Sequence, residues 1–116
     1  MKMTSDFDFF TINPEDSAFE ALSKIEVNGY GTVIVVTDKN GQLHVVGTLS
    51  DGDIRKALLD HHMLTIPVKN VMNQAFLSVF EGELDRAKSF FSKSFFIRLI
   101  PVVTSEGILI DVIKRS

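Results

Sequence analysis

Val46-Gly47-Thr48-Leu49-Ser50-Asp51-Gly52-Asp53-Ile54-Arg55 is the stretch around which the chain is organised. It begins as the end of an apolar strand and finishes as the first turn of a helix. Two glycines, two hydroxyls and two carboxylates crowd the switch between them. A strand-to-helix turn of this kind gathers backbone N–H groups and short polar side chains toward one point, which suits the phosphate and sugar hydroxyls of a nucleotide. Ser50-x-x-Asp53 is equally a capping box, with Asp in place of the usual Glu or Gln. A helix N-terminus therefore calls for these two residues with or without a ligand.

Upstream of this stretch, Leu43 to Leu49 reads as a strand. It is preceded by the turn Asp38-Lys39-Asn40-Gly41 and by the β-branched run Val33 to Val36, a buried strand. Asn28-Gly29 ends a helix whose apolar stripe is Ala18, Ala21, Leu22 and Ile25. Asn13 is the expected N-cap of that helix and Pro14 its first residue, with Glu15 and Asp16 complementing the dipole. Downstream, a helix runs from Gly52 to Leu59, and His61 to Asn73 connects the halves, with Pro67 and a helical turn through Val71-Met72. Phe76 to Phe80 is extended. Glu81-Gly82-Glu83 turns into a helix over Leu84 to Ser94. The strands Leu99 to Val103 and Ile108 to Ile113 flank a turn at Thr104 to Gly107.

The order strand, helix, strand, turn, strand thus occurs twice. Val35-Val36-Thr37 answers Val102-Val103-Thr104, and Gly41 answers Gly107, an internal duplication with a period of roughly 65 residues. Two such units, each with an apolar sheet face, are expected to pack about a pseudo-twofold axis. The chain divides into a lead-in over 1–9, a first repeat over 10–60, a connector over 61–75 and a second repeat over 76–116. The second repeat stops where the helix that follows Ser50 in the first would begin.

The 116 residues suffice for one compact domain or two small units sharing a core, and ten Phe supply apolar volume. A net charge of −3 argues against a general nucleic-acid binder, which needs a basic face. With no cysteine, neither a disulfide framework nor a thiolate metal site can form. The first ten residues carry Asp6 and Asp8 and lack the basic-then-apolar order of a signal peptide, and no apolar run reaches membrane-spanning length. The expected location is the cytoplasm.

The duplicated order, with Gly47-Thr48-Leu49-Ser50-Asp51-Gly52-Asp53-Ile54 closing its first half, resembles a CBS domain pair, the cystathionine-β-synthase type of regulatory module. The resemblance runs from about Phe10 to Ile113. It is closest to the CBS pairs at the N-terminus of sugar-nucleotide nucleotidyltransferases, through the stretches NGYGTVIVV, VVGTLSDGDIRKALL and PVKNVMN. A sugar-phosphate isomerase with a C-terminal CBS pair has a similar turn and is the alternative parent. The implied fold is α/β, with tandem βαββα-type repeats, the second lacking its final helix.

The implied function is non-catalytic. An adenine nucleotide (AMP, ADP or ATP) would act as a regulatory ligand in the cleft between repeats, with no cofactor required. The family pattern of Gly, then Ser or Thr, then Asp at three-residue steps falls on Gly47, Ser50 and Asp53. By carry-over, Ser50 would bond phosphate or ribose, and Asp53 would accept from the ribose hydroxyls. Thr11 and Ile12 would meet the base with backbone polar groups, and Arg98 would lie near phosphate. Thr48 and Asp51 complete the candidate ligand residues of the turn. In the second repeat, Asp111 stands where the glycine belongs and Lys114 where the Ser or Thr belongs, so the pattern supports at most one site per chain. The implied partners are an attached catalytic domain and a second copy of the chain, paired through the helices, with neither nucleic acid nor membrane involved.

Other features read more plainly. Asp51 and Asp53 are not placed near any general acid, base or nucleophile, and helix N-termini favour carboxylates in any case. His61 and His62 are adjacent, whereas helical metal pairs prefer a spacing of three or four residues. His44 is a mid-strand residue, and Arg55 and Lys56 follow the turn on its helix. Phe90, Phe91, Phe95 and Phe96 are too many for one buried helix face, with Phe91 and Phe95 expected to share that face and Phe90 to turn partly away, so part of the group is expected at an interface. An enzyme would need a nucleophile, a metal constellation or a Gly-rich loop ending in Lys and Ser or Thr, and the chain has none of these. The rival to a ligand sensor is a ligand-free module that holds two catalytic domains together.

Overall fold

A computed structural model describes residues 7–115. Most of the expected lead-in, residues 1–6 including Asp6, lies outside the described residues, as does Ser116. Two three-stranded sheets carry the chain. In the first, β1 (Thr11–Ile12) runs parallel to β2 (Thr32–Lys39), which pairs antiparallel with β3 (Gln42–Ser50). In the second, β4 (Val79–Phe80) runs parallel to β5 (Leu99–Val103), which pairs antiparallel with β6 (Leu109–Lys114). The helix α1 (Ala18–Asn28) joins β1 to β2, α2 (Asp51–Leu59) follows β3, and α3 (Leu84–Lys93) joins β4 to β5.

The duplication extends to the irregularities. The β2–β3 ladder shifts register between Val35 and Val36, and the β5–β6 ladder shifts between Val102 and Val103. Gly47 lies opposite Val35 and Asp111 opposite Val102, so the two occupy the same place in their repeats. The two sheets touch at edge strand β3 and the start of edge strand β6, where His44 bridges Ile108 and the Val45 N–H donates to the Gly107 carbonyl at 3.0 Å.

Strand β2 is apolar along an unbroken run because both of its faces are covered. Val33 and Val35 point into a core with Ile12, Ala21, Ile25, Leu49 and Ile54, beneath α1 and α2. Ile34 and Val36 point the other way, into a core shared with Leu99 and Leu109 of the second sheet. That shared layer joins the repeats. A third core, Val79, Ala87, Ile100 and Val102, lies under α3 with Phe90 and Phe91 packed against it. The hairpin turn at Asn40-Gly41 places both residues at positive φ, and Asp38 Oδ1 accepts from the Gly41 N–H at 2.9 Å.

Four local expectations are corrected. Helix α1 does not begin at Pro14. Its N-cap is Ser17, in a full capping box with Glu20, and Asn13 instead forms an Asx turn, accepting from the Glu15 N–H at 2.8 Å. The connector enforces this, because its Val68 and Lys69 N–H groups donate to the Asp16 and Pro14 carbonyls, at 2.7 and 3.0 Å. The connector's helical turn is a 3₁₀ turn at Val68–Asn70 rather than at Val71-Met72. Helix α3 ends at Lys93 and Ser94 is extended, so Phe95 does not share a helical face with Phe91. Phe90, expected to turn partly away, packs with Phe91 on the third core.

Candidate functional site

Strand β3 delivers Thr48 and Ser50 to the start of α2, and the helix's first turn presents Asp53. The Ser50 N–H donates to Asp53 Oδ2 and the Asp53 N–H donates to Ser50 Oγ, both at 3.0 Å. These bonds satisfy donors that the helix N-terminus leaves without partners. They still leave capacity over. Among the described residues, the Ser50 hydroxyl proton has no acceptor and Asp53 Oδ1 has no donor. The box at Ser17 differs, because there the Ser17 hydroxyl donates to Glu20 Oε1 at 3.2 Å and the box closes on itself.

A cavity of about 290 Å³ opens against these groups. This is near the lower end of the roughly 300–1,000 Å³ of small-molecule clefts. Its polar wall is Thr32, Thr48, Ser50 and Asp53 of the first repeat, with Asn73 of the connector. The rest of its lining is a largely apolar wall that, apart from Ala75 of the connector, comes from the second half: Leu77, Phe96, Ile97 and Leu99, with Arg98 among them. The Arg98 guanidinium donates through Nη2 to the Gly29 carbonyl at 2.9 Å and lies 5.9 Å from the Tyr30 ring centroid. It reaches from the second repeat to the C-terminus of α1, where a cation is favourable.

Four of the eight candidate residues, Thr48, Ser50, Asp53 and Arg98, therefore line one cavity. The other four lie elsewhere. Thr11 and Ile12 are buried in β1, where the Thr11 hydroxyl donates to the Phe7 carbonyl at 2.8 Å and Ile12 belongs to the first core. Asp51 is exposed, and its N–H donates to the Gly31 carbonyl at 3.0 Å. Gly47 is buried beneath the connector. A Cβ there would lie 2.8 Å from Met72 Sδ and 3.1 Å from the Asn73 carbonyl oxygen. Its lack of a side chain lets Asn73 exchange hydrogen bonds with Thr48, 3.0 Å to the Asn73 carbonyl and 2.7 Å to the Thr48 carbonyl.

Asn73, Thr32 and the apolar wall were not among the candidate residues. Asn73 closes the PVKNVMN stretch, so a signal for it was present. The apolar wall carries no local signal, because only tertiary packing brings Leu77 and Phe96 into one cavity with Ser50. Lys56 and His62 line a neighbouring hollow of about 300 Å³ that shares Asp53 and Asn73 with the first. No group of three or more His, Asp or Glu suited to a metal occurs among the described residues.

A sequence profile of the CBS domain matches residues 3–60, half of the chain. The chain belongs to the CBS domain family. CBS domains are regulatory, non-catalytic modules, and the two sheets of like topology match the fold of a CBS domain pair. A CBS domain protein of Pyrobaculum aerophilum complexed with AMP is similar at 19% identity and a TM-score of 0.73, over 90% of this chain and 79% of that one. Staphylococcus aureus OpuCA is similar at 25% identity and a TM-score of 0.68, over 91% and 84%. A CBS domain pair in complex with 5′-methylthioadenosine and S-adenosyl-L-methionine is similar at 21% identity and a TM-score of 0.70, over 90% and 83%. No curated protein matches the chain in sequence. No helix among the described residues is long and apolar enough to cross a membrane.

Proposed function

We propose that this CBS module binds an adenosine nucleotide, AMP, ADP or ATP, in the cavity at the Ser50–Asp53 turn and thereby regulates a catalytic domain attached to it. One observation carries this reading: Thr48, Ser50 and Asp53 of the first repeat line one cavity together with Arg98 of the second. The Ser50 hydroxyl donates to a phosphate or ribose oxygen, Asp53 Oδ1 accepts from a ribose hydroxyl, and Arg98 turns toward phosphate. Fold neighbours in complex with AMP, 5′-methylthioadenosine and S-adenosyl-L-methionine support the adenosine class. A ligand held by both repeats biases their relative orientation by no more than its difference in affinity for the two arrangements.

The finer parts of the proposal rest on the resemblance. The division at residues 10–60 and 76–116 marks the two repeats, and the attached enzyme is a sugar-nucleotide nucleotidyltransferase acting in the cytoplasm. Pairing of two copies through the helices is supported by exposed Phe19 and Val27 on α1 and by exposed Phe9, which with Val27 lines an apolar hollow of about 550 Å³.

A scaffold that binds nothing is the second reading. Its support is that Ser50, Asp53 and Arg98 each already hold a structural bond. A thermal-shift panel of AMP, ADP, ATP, S-adenosylmethionine and nucleotide sugars separates the two. Ligand at a hundred times its dissociation constant adds about 2.7 kcal/mol of stability. No shift with any of them at millimolar concentration favours the scaffold.

A further inference from the structure

We infer that the corner at Phe95 and Phe96 docks on an anionic lipid surface, with the two rings entering the headgroup region and Lys88 and Lys93 set against the lipid charges. The inference does not depend on the nucleotide reading. It goes beyond the family resemblance, which implies no membrane partner.

The two rings follow α3 directly. Phe95 is 87% and Phe96 95% exposed, more than any other large apolar side chain among the described residues. Neither belongs to any of the three apolar cores. Their backbone is held all the same. The Phe96 N–H donates to Ser94 Oγ at 3.2 Å, and the Arg115 guanidinium donates to the carbonyls of Phe91, Ser94 and Ile97, on both sides of the pair. Rings presented on a fixed backbone lose little freedom when a surface covers them.

The charge around the pair is positive, although the net charge of the chain is −3. From Arg86 to Ser105 the sequence has four Lys or Arg and no Asp or Glu. Arg86 pairs with Glu83 at 3.4 Å, and Arg98 donates to the Gly29 carbonyl. Lys88 and Lys93 are exposed and make no ion pair among the described residues. Lys93 ends α3, and Lys88 lies about 7.5 Å before it along the helix axis, so the two act together within the roughly 10 Å that a charge is felt in 0.1 M salt.

Exposed aromatic rings beside free cations match a bilayer surface, where anionic headgroups overlie apolar chains. A protein partner fits less well. Two phenylalanines offer about 300–500 Å², against the roughly 800 Å² that each side of a stable protein interface contributes. The exposed residues just before them, Ser89, Ser92 and Lys93, are of types that protein interfaces disfavour.

The test measures co-sedimentation of the whole chain with vesicles of equal parts phosphatidylserine and phosphatidylcholine, and with vesicles of phosphatidylcholine alone. Wild type should bind the anionic vesicles and be released at about 1 M salt, where the screening length falls to about 3 Å. Lys88→Ala with Lys93→Ala should weaken binding by roughly 25-fold, and Phe95→Ser by roughly tenfold, with melting curves confirming the fold of each variant. Phe95 does not line the cavity at Ser50 and Asp53, so its removal leaves that site's residues in place. The chain has no tryptophan, so Phe95→Trp supplies a single reporter whose emission should shift to the blue on the anionic vesicles. No binding of wild type to those vesicles overturns the proposal, as does equal binding to phosphatidylcholine alone. Binding within twofold of wild type in Phe95→Ser, with no blue shift in Phe95→Trp, overturns the insertion of the rings and leaves only adsorption by charge. A wild type that ignores vesicles but self-associates, with the association lost in Phe95→Ser, assigns the corner to contact between copies instead.

Discussion

Ser50 and Asp53, which both line the cavity, exchange two hydrogen bonds of 3.0 Å across the first turn of α2, and among the described residues the Ser50 hydroxyl proton and Asp53 Oδ1 have no further partner. Capping and ligand binding are therefore separate uses of the same pair. Ser50→Ala should lower unfolding stability by about 1 kcal/mol through the lost cap, measured by urea denaturation. AMP affinity should fall as well, by roughly tenfold, measured on the folded variant. The stability loss without any loss of affinity would mean that the cap is the pair's whole role.

Gly47 is required by space alone. A methyl group there meets Met72 Sδ at 2.8 Å and the Asn73 carbonyl oxygen at 3.1 Å. Met72 can swing aside, but the Asn73 carbonyl is fixed by its bonds to Thr48. Gly47→Ala should therefore cost about 1–3 kcal/mol, and adding Met72→Ala should recover only part of it. Full recovery in the double variant, by urea denaturation, would show that the connector backbone is free to move.

Arg98 has an exposed bond to the Gly29 carbonyl, which water can replace. Arg98→Ala should leave the melting temperature nearly unchanged. It should weaken AMP by roughly tenfold, the loss of one charge-assisted bond, and leave adenosine, which has no phosphate, unaffected. Calorimetric titration with both ligands measures the difference. Equal losses for AMP and adenosine would place Arg98 away from the phosphate.

Arg115 anchors the end of the second repeat. Its guanidinium donates to the carbonyls of Phe91, Ser94 and Ile97 and lies 5.0 Å from the Phe91 ring centroid. It satisfies carbonyls that the C-terminus of α3 leaves open. Arg115→Ala should destabilise the chain by about 2 kcal/mol, and Arg115→Lys by nearly as much, because a lysine cannot present the planar fork. A lysine variant as stable as wild type, by thermal denaturation, would mean that charge rather than geometry matters here.

Where structure follows from local patterns, it was legible in the sequence. The Val33 to Val36 run, the Asn40-Gly41 turn and the Ser50–Asp53 box each sit where their residues imply, and the likeness of Val35-Val36-Thr37 to Val102-Val103-Thr104 reappears as matching register shifts. The start of α1 was misplaced although Ser17-Ala18-Phe19-Glu20 is itself a capping-box pattern. Asn13-Pro14 is an equally good local signal, and only the docking of Val68 and Lys69 on Asp16 and Pro14 decides between them. At the site, the polar wall was legible because one turn supplies most of it. The apolar wall was not, because Leu77 and Phe96 reach it from distant parts of the chain. Thr11 and Ile12 came from the resemblance rather than from any property of their own, and they lie buried outside the cavity.

The most direct test of the central claim is isothermal titration of the chain with AMP, run in parallel on Asp53→Ala. Saturable binding at one AMP per chain, abolished in a variant that still melts cooperatively, is the predicted result. No heat of binding at millimolar AMP, or equal affinity in the two proteins, would contradict it.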